Sequence, residues 1–219
     1  MAEIKVHGFL YFRVPHGYRT SEERDKVRQA AEEAQKFPGV VALYPYTLAG
    51  LRASADVGFW VATEDIEAYQ SVASRFLRTH LELTSSLWGF VRQSQYTGQS
   101  GISVEVPGER KRYLVVYPFV KTHDWYQLSA DERRGLMKDH ARVGHAFKDI
   151  DQLLVYSTGI ADAEFVVGYE TDDLQRFSEL VVVLRSTAGR PFTRRDTPIF
   201  TGRYGSLQEV LREVFGEEG

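Results

Sequence analysis

The chain has 219 residues, 43% of them hydrophobic and 26% charged, with a formal charge of −3. That composition fits a soluble globular protein with material for one large core or two small ones, and so mild a charge gives no general pull toward nucleic acid or anionic membrane. Cysteine is absent, which excludes disulfides, zinc–thiolate sites, cysteine-held iron–sulfur clusters and thiol nucleophiles.

The opening "MAEIKVHGFLYFRV" lacks a basic region followed by an apolar one, and no apolar run approaches the roughly 20 residues that span a bilayer. A cytoplasmic location is the expectation. Period-2 alternation then predicts strands over 4–14, 39–49, 55–63 and 86–96, with helices over 20–37 and 65–80 between them. The stretch "TGQSGISVEVPGER", Thr97 to Arg110, is rich in Gly, Ser and Pro and reads as a linker. Beyond it, strands are predicted over 111–121, 152–159, 163–171 and 197–204, and helices over 129–147, 172–188 and 206–216. Ser129 with Glu132 makes a capping-box start for the third helix.

The halves repeat one another. Ala55–Thr79 aligns with Ala163–Thr187, with Thr63 on Thr171, Asp65 on Asp173, Ile66 on Leu174, Tyr69 on Phe177 and Thr79 on Thr187. Upstream, Val6–Val14 resembles Arg112–Val120, and Gly50 and Gly159 hold matching turns. Each copy reads strand, helix, strand, strand, helix, strand. The predicted fold class is therefore α+β: duplicated ferredoxin-like units forming an antiparallel β-barrel with outer helices. The units are expected at 1–98 and 111–219, with 99–110 between them.

Chemistry concentrates in the second copy. Within "GLMKDHARVGHAF", Leu136, His140, Val143 and Phe147 share one helical face, while His145 points about 140° away. A core histidine bonded to a neighbour is the common reading of such an imidazole. The first copy, however, has "RQAAEEAQKF" in the matching helix and no histidine, so a core can be built there without one. Asp139 and His145 do not share the face of His140 and read as solvated. One imidazole facing an apolar hollow suits a macrocycle that brings four nitrogen ligands of its own.

Along "RYLVVYPFVKTHDWY", Tyr113, Val115, Tyr117, Phe119 and Lys121 share a strand face. That face could be an incompletely filled barrel interior, or its tyrosines could simply reach the rim. Trp125 and Tyr126 could wall a flat ligand or merely pack. Arg185 ends an apolar helical run; it either snorkels to water or, facing a pocket, holds a carboxylate. Arg190, Arg194 and Arg195 read as a solvated loop or as subunit contacts. No phosphate loop, G-x-S-x-G or H-E-x-x-H occurs, so nothing supports a kinase or hydrolase.

The segments "YLVVYPFVKTHDWYQLSADERRGLMKDHARVGHAF" and "QLLVYSTGIADAEFVVGYETDDLQRFSELV" resemble the chlorite dismutase-like superfamily, across nearly the whole second half and more faintly through "YTLAGLRASADVGFWV". The resemblance implies homopentamers and a haem in the C-terminal half on His140. Chlorite dismutases carry a distal arginine where this chain has Gln152, and an amide lacks the fixed charge that holds an anion over iron. Glutamine there, with a tyrosine at 117 and a lysine at 121, is similar to the coproheme decarboxylase branch. That branch often has methionine where Phe119 stands, and "DTPIF" reads more like other members. Chlorite dismutases place a glutamate where this chain has Gly189.

The activity so implied is hydrogen peroxide-dependent decarboxylation of iron coproporphyrin (coproheme) to haem b. Tyr117 would be the radical site, Lys121 would handle protons and propionate charge, and Gln152 would complete the catalytic set. Tyr96, Phe119, Trp125 and Arg185 would line the porphyrin. Two alternatives stand beside it: a chlorite dismutase or related haem peroxidase, and a haem-binding protein without turnover.

Overall fold

A computed structural model describes residues 3–93, 101–144 and 146–216. In chain order the elements are β1 (Val6–Arg13), α1 (Ser21–Gln35), β2 (Val40–Thr47), β3 (Val57–Thr63), α2 (Ile66–Phe76) and β4 (Glu82–Phe90). The second half holds β5 (Tyr113–Lys121), α3 (His123–Gln127), α4 (Ala130–Gly144), β6 (Asp151–Tyr156), β7 (Phe165–Thr171), α5 (Leu174–Arg185), β8 (Thr193–Arg195), β9 (Phe200–Tyr204) and α6 (Leu207–Phe215). The fold is α+β, as expected, with an antiparallel sheet of nine strands among the described residues.

The repeat shows in the helix starts. Asp65 caps α2 by accepting from the Ala68 N–H, and Asp173 caps α5 by accepting from Gln175 and Arg176. One strand earlier in each half, the Thr63 and Thr171 hydroxyls donate to the carbonyls of those same aspartates. The Ser129–Glu132 box forms reciprocally at 2.8 and 3.3 Å. Gly50 and Gly159 both take φ near +75°, at 75° and 77°, a conformation that a side chain disfavours.

Strand pairing is equally parallel. β1 lies between β3 and β4, with β2 outside β3; β5 lies between β7 and β9, with β6 outside β7. Among the described residues two seams join the halves: β2 with β9, and β4 with β6 at the pair Phe90–Tyr156. The pairings therefore run in a ring, and among the described residues the second seam is the thinner one. Gly89 makes that seam possible, since a Cβ there would sit 2.7 Å from the Tyr156 carbonyl oxygen.

Three apolar layers result. Phe9, Trp60, Leu114, Val116, Leu153 and Val155 fill the inside of the ring. Outside the first half, Val6, Leu10 and Phe12 pack under α1, α2 and α6, which contribute Val27, Val72 and Leu211 among others. Outside the second half, Val115, Tyr117, Val167 and Tyr169 lie under α5.

Several expectations change. The Tyr113-to-Lys121 face is not a barrel interior; strand alternation gives the interior to Leu114 and Val116 and turns Tyr117 outward, beneath the helices. The strand expected at 86–96 begins at Glu82, because Glu82 and Leu83 pair with Arg13 and Phe12 although that end is exposed. The helix expected over 129–147 ends at Gly144, and Phe147 packs from the turn after it. The short elements α3 and β8 had no periodic signal.

Candidate functional site

A cavity of about 1060 Å³, counting its open mouth, lies between the outer face of β5–β7–β6 and the helices α4 and α5. It exists because the covering helices pack loosely here. No described residue of α4 is buried, and on α5 only Leu180 is. Seven of the eight residues given a site role from the sequence line it: Tyr117, Phe119, Lys121, Trp125, His140, Gln152 and Arg185. Tyr96 lies outside the described residues, as does His145.

Alternation along β5 sends Tyr117, Phe119 and Lys121 into the cavity together. The Lys121 ammonium lies 4.1 Å from the Trp125 ring centroid and 5.0 Å from that of Phe119, a cation–π arrangement. Burial brings its pKa down to about 8; Glu164 pulls it up and Arg190 pushes it further down. Lys121 is therefore a cation poorly matched to its own surroundings, and a carboxylate ligand would relieve it.

His140 faces the cavity one helical turn from Leu136. Burial and the nearby Lys121 charge lower its pKa below 6.5, with Asp139 acting the other way. The Asp139 carboxylate is held by Arg142 at 2.7 Å. A neutral imidazole with a free lone pair is what a metal ligand requires. Gly189 also lines the cavity, and a Cβ there would meet nothing within 4 Å.

Tyr117 and Tyr169 stack with centroids 6.1 Å apart and an interplanar angle of 24°. Burial and the hydrogen bond to Tyr169 hold the Tyr117 phenol well above its ordinary value, so it stays protonated. Gln152 stands opposite Tyr169 on β6. Its backbone is fixed by the segment between the halves: the Gln152 N–H donates to Ser103 Oγ at 2.7 Å, and the Ser103 N–H donates to the Gln152 carbonyl at 2.7 Å. Leu154 N–H donates to the Gly101 carbonyl at 3.0 Å. This segment thus serves as an extra edge beside β6.

Arg185 and Arg190 converge on Asp196, at 3.5 and 2.6 Å. Arg190 therefore belongs to the cavity wall and not to a solvated loop, because the chain folds back after α5. Tyr169, Arg190 and Asp196 are among the lining residues that sequence reasoning did not place in the site. Alternation along β7 could have found Tyr169; nothing local marked Asp196.

The lining suits an iron porphyrin. Its walls include Leu136, Met137, Leu154, Val167, Val181 and Leu184, its cations are Lys121, Arg185 and Arg190, and its one carboxylate is already ion-paired. Among the described residues no three His, Asp or Glu converge, so a bare ion has no protein cage, whereas a macrocycle brings its own four nitrogens. His140 would hold the iron, and the cations would meet propionates.

The chain matches the family model described as chlorite dismutase over residues 20–205. A coproheme decarboxylase from Mycolicibacterium smegmatis is 32% identical over 219 residues, covering 96% of this chain and 94% of that protein. A chlorite dismutase from Ideonella dechloratans is 25% identical over 218 residues, covering 93% of this chain and 75% of that one. A variant of the chlorite dismutase from Candidatus Nitrospira defluvii superposes with a TM-score of 0.85 at 25% identity, covering 97% and 96% of the two chains. No helix among the described residues is long and apolar enough to cross a membrane.

Proposed function

The chain belongs to the chlorite dismutase family, and from that premise we propose that it is a coproheme decarboxylase. Its substrate is iron coproporphyrin, its oxidant hydrogen peroxide and its product haem b. The observation that carries this reading is a protonated phenol, Tyr117, in one cavity with the imidazole of His140, the cation of Lys121 and the neutral amide of Gln152. A family relative that is 32% identical over nearly the whole chain bears that activity in its name.

In each turnover a propionate side chain loses one hydrogen and its carboxylate, and becomes a vinyl group with release of carbon dioxide. Two electrons leave the side chain, and one peroxide, taking them with protons, becomes two waters. The bound iron porphyrin supplies the oxidising chemistry. The protein's share is narrower. His140 holds the iron, Lys121 and Arg185 hold carboxylates, Phe119 and Trp125 wall the ring, and Tyr117 takes the hydrogen atom as a phenoxyl radical. Tyr96 would add a further porphyrin contact. We place this chemistry in the unit 111–219, with 1–98 as its counterpart without a porphyrin, and the working form as a cytoplasmic homopentamer.

Titrating peroxide into the protein loaded with iron coproporphyrin, followed by mass spectrometry of the porphyrin, tests the reading. Two successive losses of the elements of formic acid are expected. Oxygen release from chlorite would make the protein a chlorite dismutase instead, which Gln152 disfavours because it cannot supply a fixed positive charge. An unchanged porphyrin would leave a binding protein. Tyr117→Phe should bind the porphyrin and stop decarboxylation; turnover in that variant would remove Tyr117 from the mechanism.

A further inference from the structure

Tyr169 is a buried phenol on the cavity wall that the reaction outlined above does not use. Tyr117 stands opposite Val167 and Tyr169 opposite Val115 on the paired strands β5 and β7. The two tyrosines are thus diagonal neighbours on one face, within reach for aromatic side chains. Their rings stack at 6.1 Å and 24°, and each phenol is near enough to act on the other's proton affinity. Phe177 closes the far side of Tyr169 at 5.3 Å. The equivalent pair in the first half, fixed by Gly8 opposite Val61 and Leu10 opposite Phe59, is Leu10 and Val61. The fold therefore has no need of either hydroxyl.

We propose that Tyr117 and Tyr169 are a redox pair that exchanges one hydrogen atom. The statement rests on the decarboxylase reading and adds a residue to it. In the exchange, the Tyr169 O–H bond breaks and an O–H bond forms on the Tyr117 phenoxyl; one proton and one electron move together. The result is a Tyr117 phenol and a Tyr169 phenoxyl radical, with peroxide as the ultimate oxidant. Moving the two particles together avoids a phenolate or a phenol cation in an apolar wall, where an unpaired charge is costly. No base is needed. The neighbouring carboxylate, Asp196, is held by Arg190 and Arg185, and the residue opposite Tyr169 on β6 is the neutral Gln152. A radical stored on Tyr169 preserves the oxidising equivalent while a propionate moves into place.

The test uses the protein loaded with ferric haem b, which lacks the two propionates to be consumed, mixed with peroxide and freeze-quenched for electron paramagnetic resonance. Incorporating 3-fluorotyrosine at 169 keeps the ring and hydroxyl, so folding is preserved. The expected spectrum then carries a fluorine splitting on part of the radical signal. Tyr169→Phe should leave the haem absorption spectrum unchanged, remove that component and shorten the radical lifetime at least threefold. With iron coproporphyrin it should slow the second decarboxylation more than the first. A fluorine-free spectrum together with an unchanged radical lifetime in Tyr169→Phe would overturn the pair. Failure of the unmodified protein to decarboxylate would instead overturn the functional reading, and the two failures are read on different instruments.

Discussion

The two halves share one strand order and one capping pattern, yet one is filled and the other hollow. Val6 stands opposite Thr63 and Tyr113 opposite Thr171, so the ladders make Val6 and Tyr113 equivalent. The register follows: Leu10 answers to Tyr117, Val14 to Lys121, and Phe59 to Val167. Every residue of the first set is apolar and sits in the core beneath the helices. In the second half Tyr117, Lys121 and Val167 line the cavity. Helix cover differs as well. α1 buries Val27, Ala30, Ala31 and Ala34, and α6, though it comes last in the chain, crosses over to bury Val210, Leu211, Val214 and Phe215 against the first half. At about 1.5–3 kcal/mol for a large buried apolar side chain, the first half holds much of the stability. The second can give up packing for binding.

The comparison can be broken or sharpened by exchanging residues between the halves. The largest effect is expected from His140→Ala. Losing the imidazole proposed to hold the iron should cost more than the roughly 10–100-fold that follows loss of a mere outer-shell partner, read by titrating ferric porphyrin against the absorption spectrum. Circular dichroism should be unchanged, since no described residue of α4 is buried. Next, Val167→Phe copies Phe59 into the hollow. Porphyrin affinity should fall at least about tenfold, because the added ring occupies the slot, while the thermal midpoint stays level or rises. Tight porphyrin binding in that variant would mean the ligand lies elsewhere.

The reverse change acts on the filled half. Phe59 stacks on Phe76 at 4.2 Å, and Phe59→Ala should cost about 3–5 kcal/mol in denaturant unfolding without altering porphyrin affinity. The smallest effect concerns Lys121. Its folded pKa of about 8 lies below the ordinary 10.5, so the unfolded chain binds the extra proton between those values, and stability of the unliganded protein rises with pH across that window. Below pH 8 the full cost is present. Lys121→Met should therefore be more stable at pH 7 by about 1 kcal/mol, water at the cavity mouth screening the rest, and the gain should vanish toward pH 10.5.

Much of this was legible in the sequence because it is written locally. Strand alternation put Tyr117, Phe119 and Lys121 on one face, and a helical period put His140 with Leu136. The threonine and aspartate that start each second helix exposed the repeat. What local patterns do not carry is which face of a strand meets which layer. The Tyr117 face read equally well as a ring interior, and only pairing with β7 and β9 turns it outward. The upstream alignment of Val6 with Arg112 is likewise one residue short of the ladder, which sets Val6 against Tyr113; a strand without an internal marker does not fix its own register. Arg190 and Asp196 were missed because their meeting needs the chain to fold back after α5, and a run of arginines on a loop looks solvated.

The stretch Gly101–Ser103 has a consequence for dissecting the molecule. It bonds to Gln152 and Leu154 along most of the border of β6 that β4 leaves uncovered. A fragment starting at β5 would bare those peptide groups on the wall of the cavity itself, and a raw strand border invites other chains to pair with it. The smallest unit that keeps Gln152 anchored thus reaches back at least to Gly101, and Arg110, ion-paired to Glu170 and resting on the rings of Tyr44 and Trp60, tethers that unit to the first half.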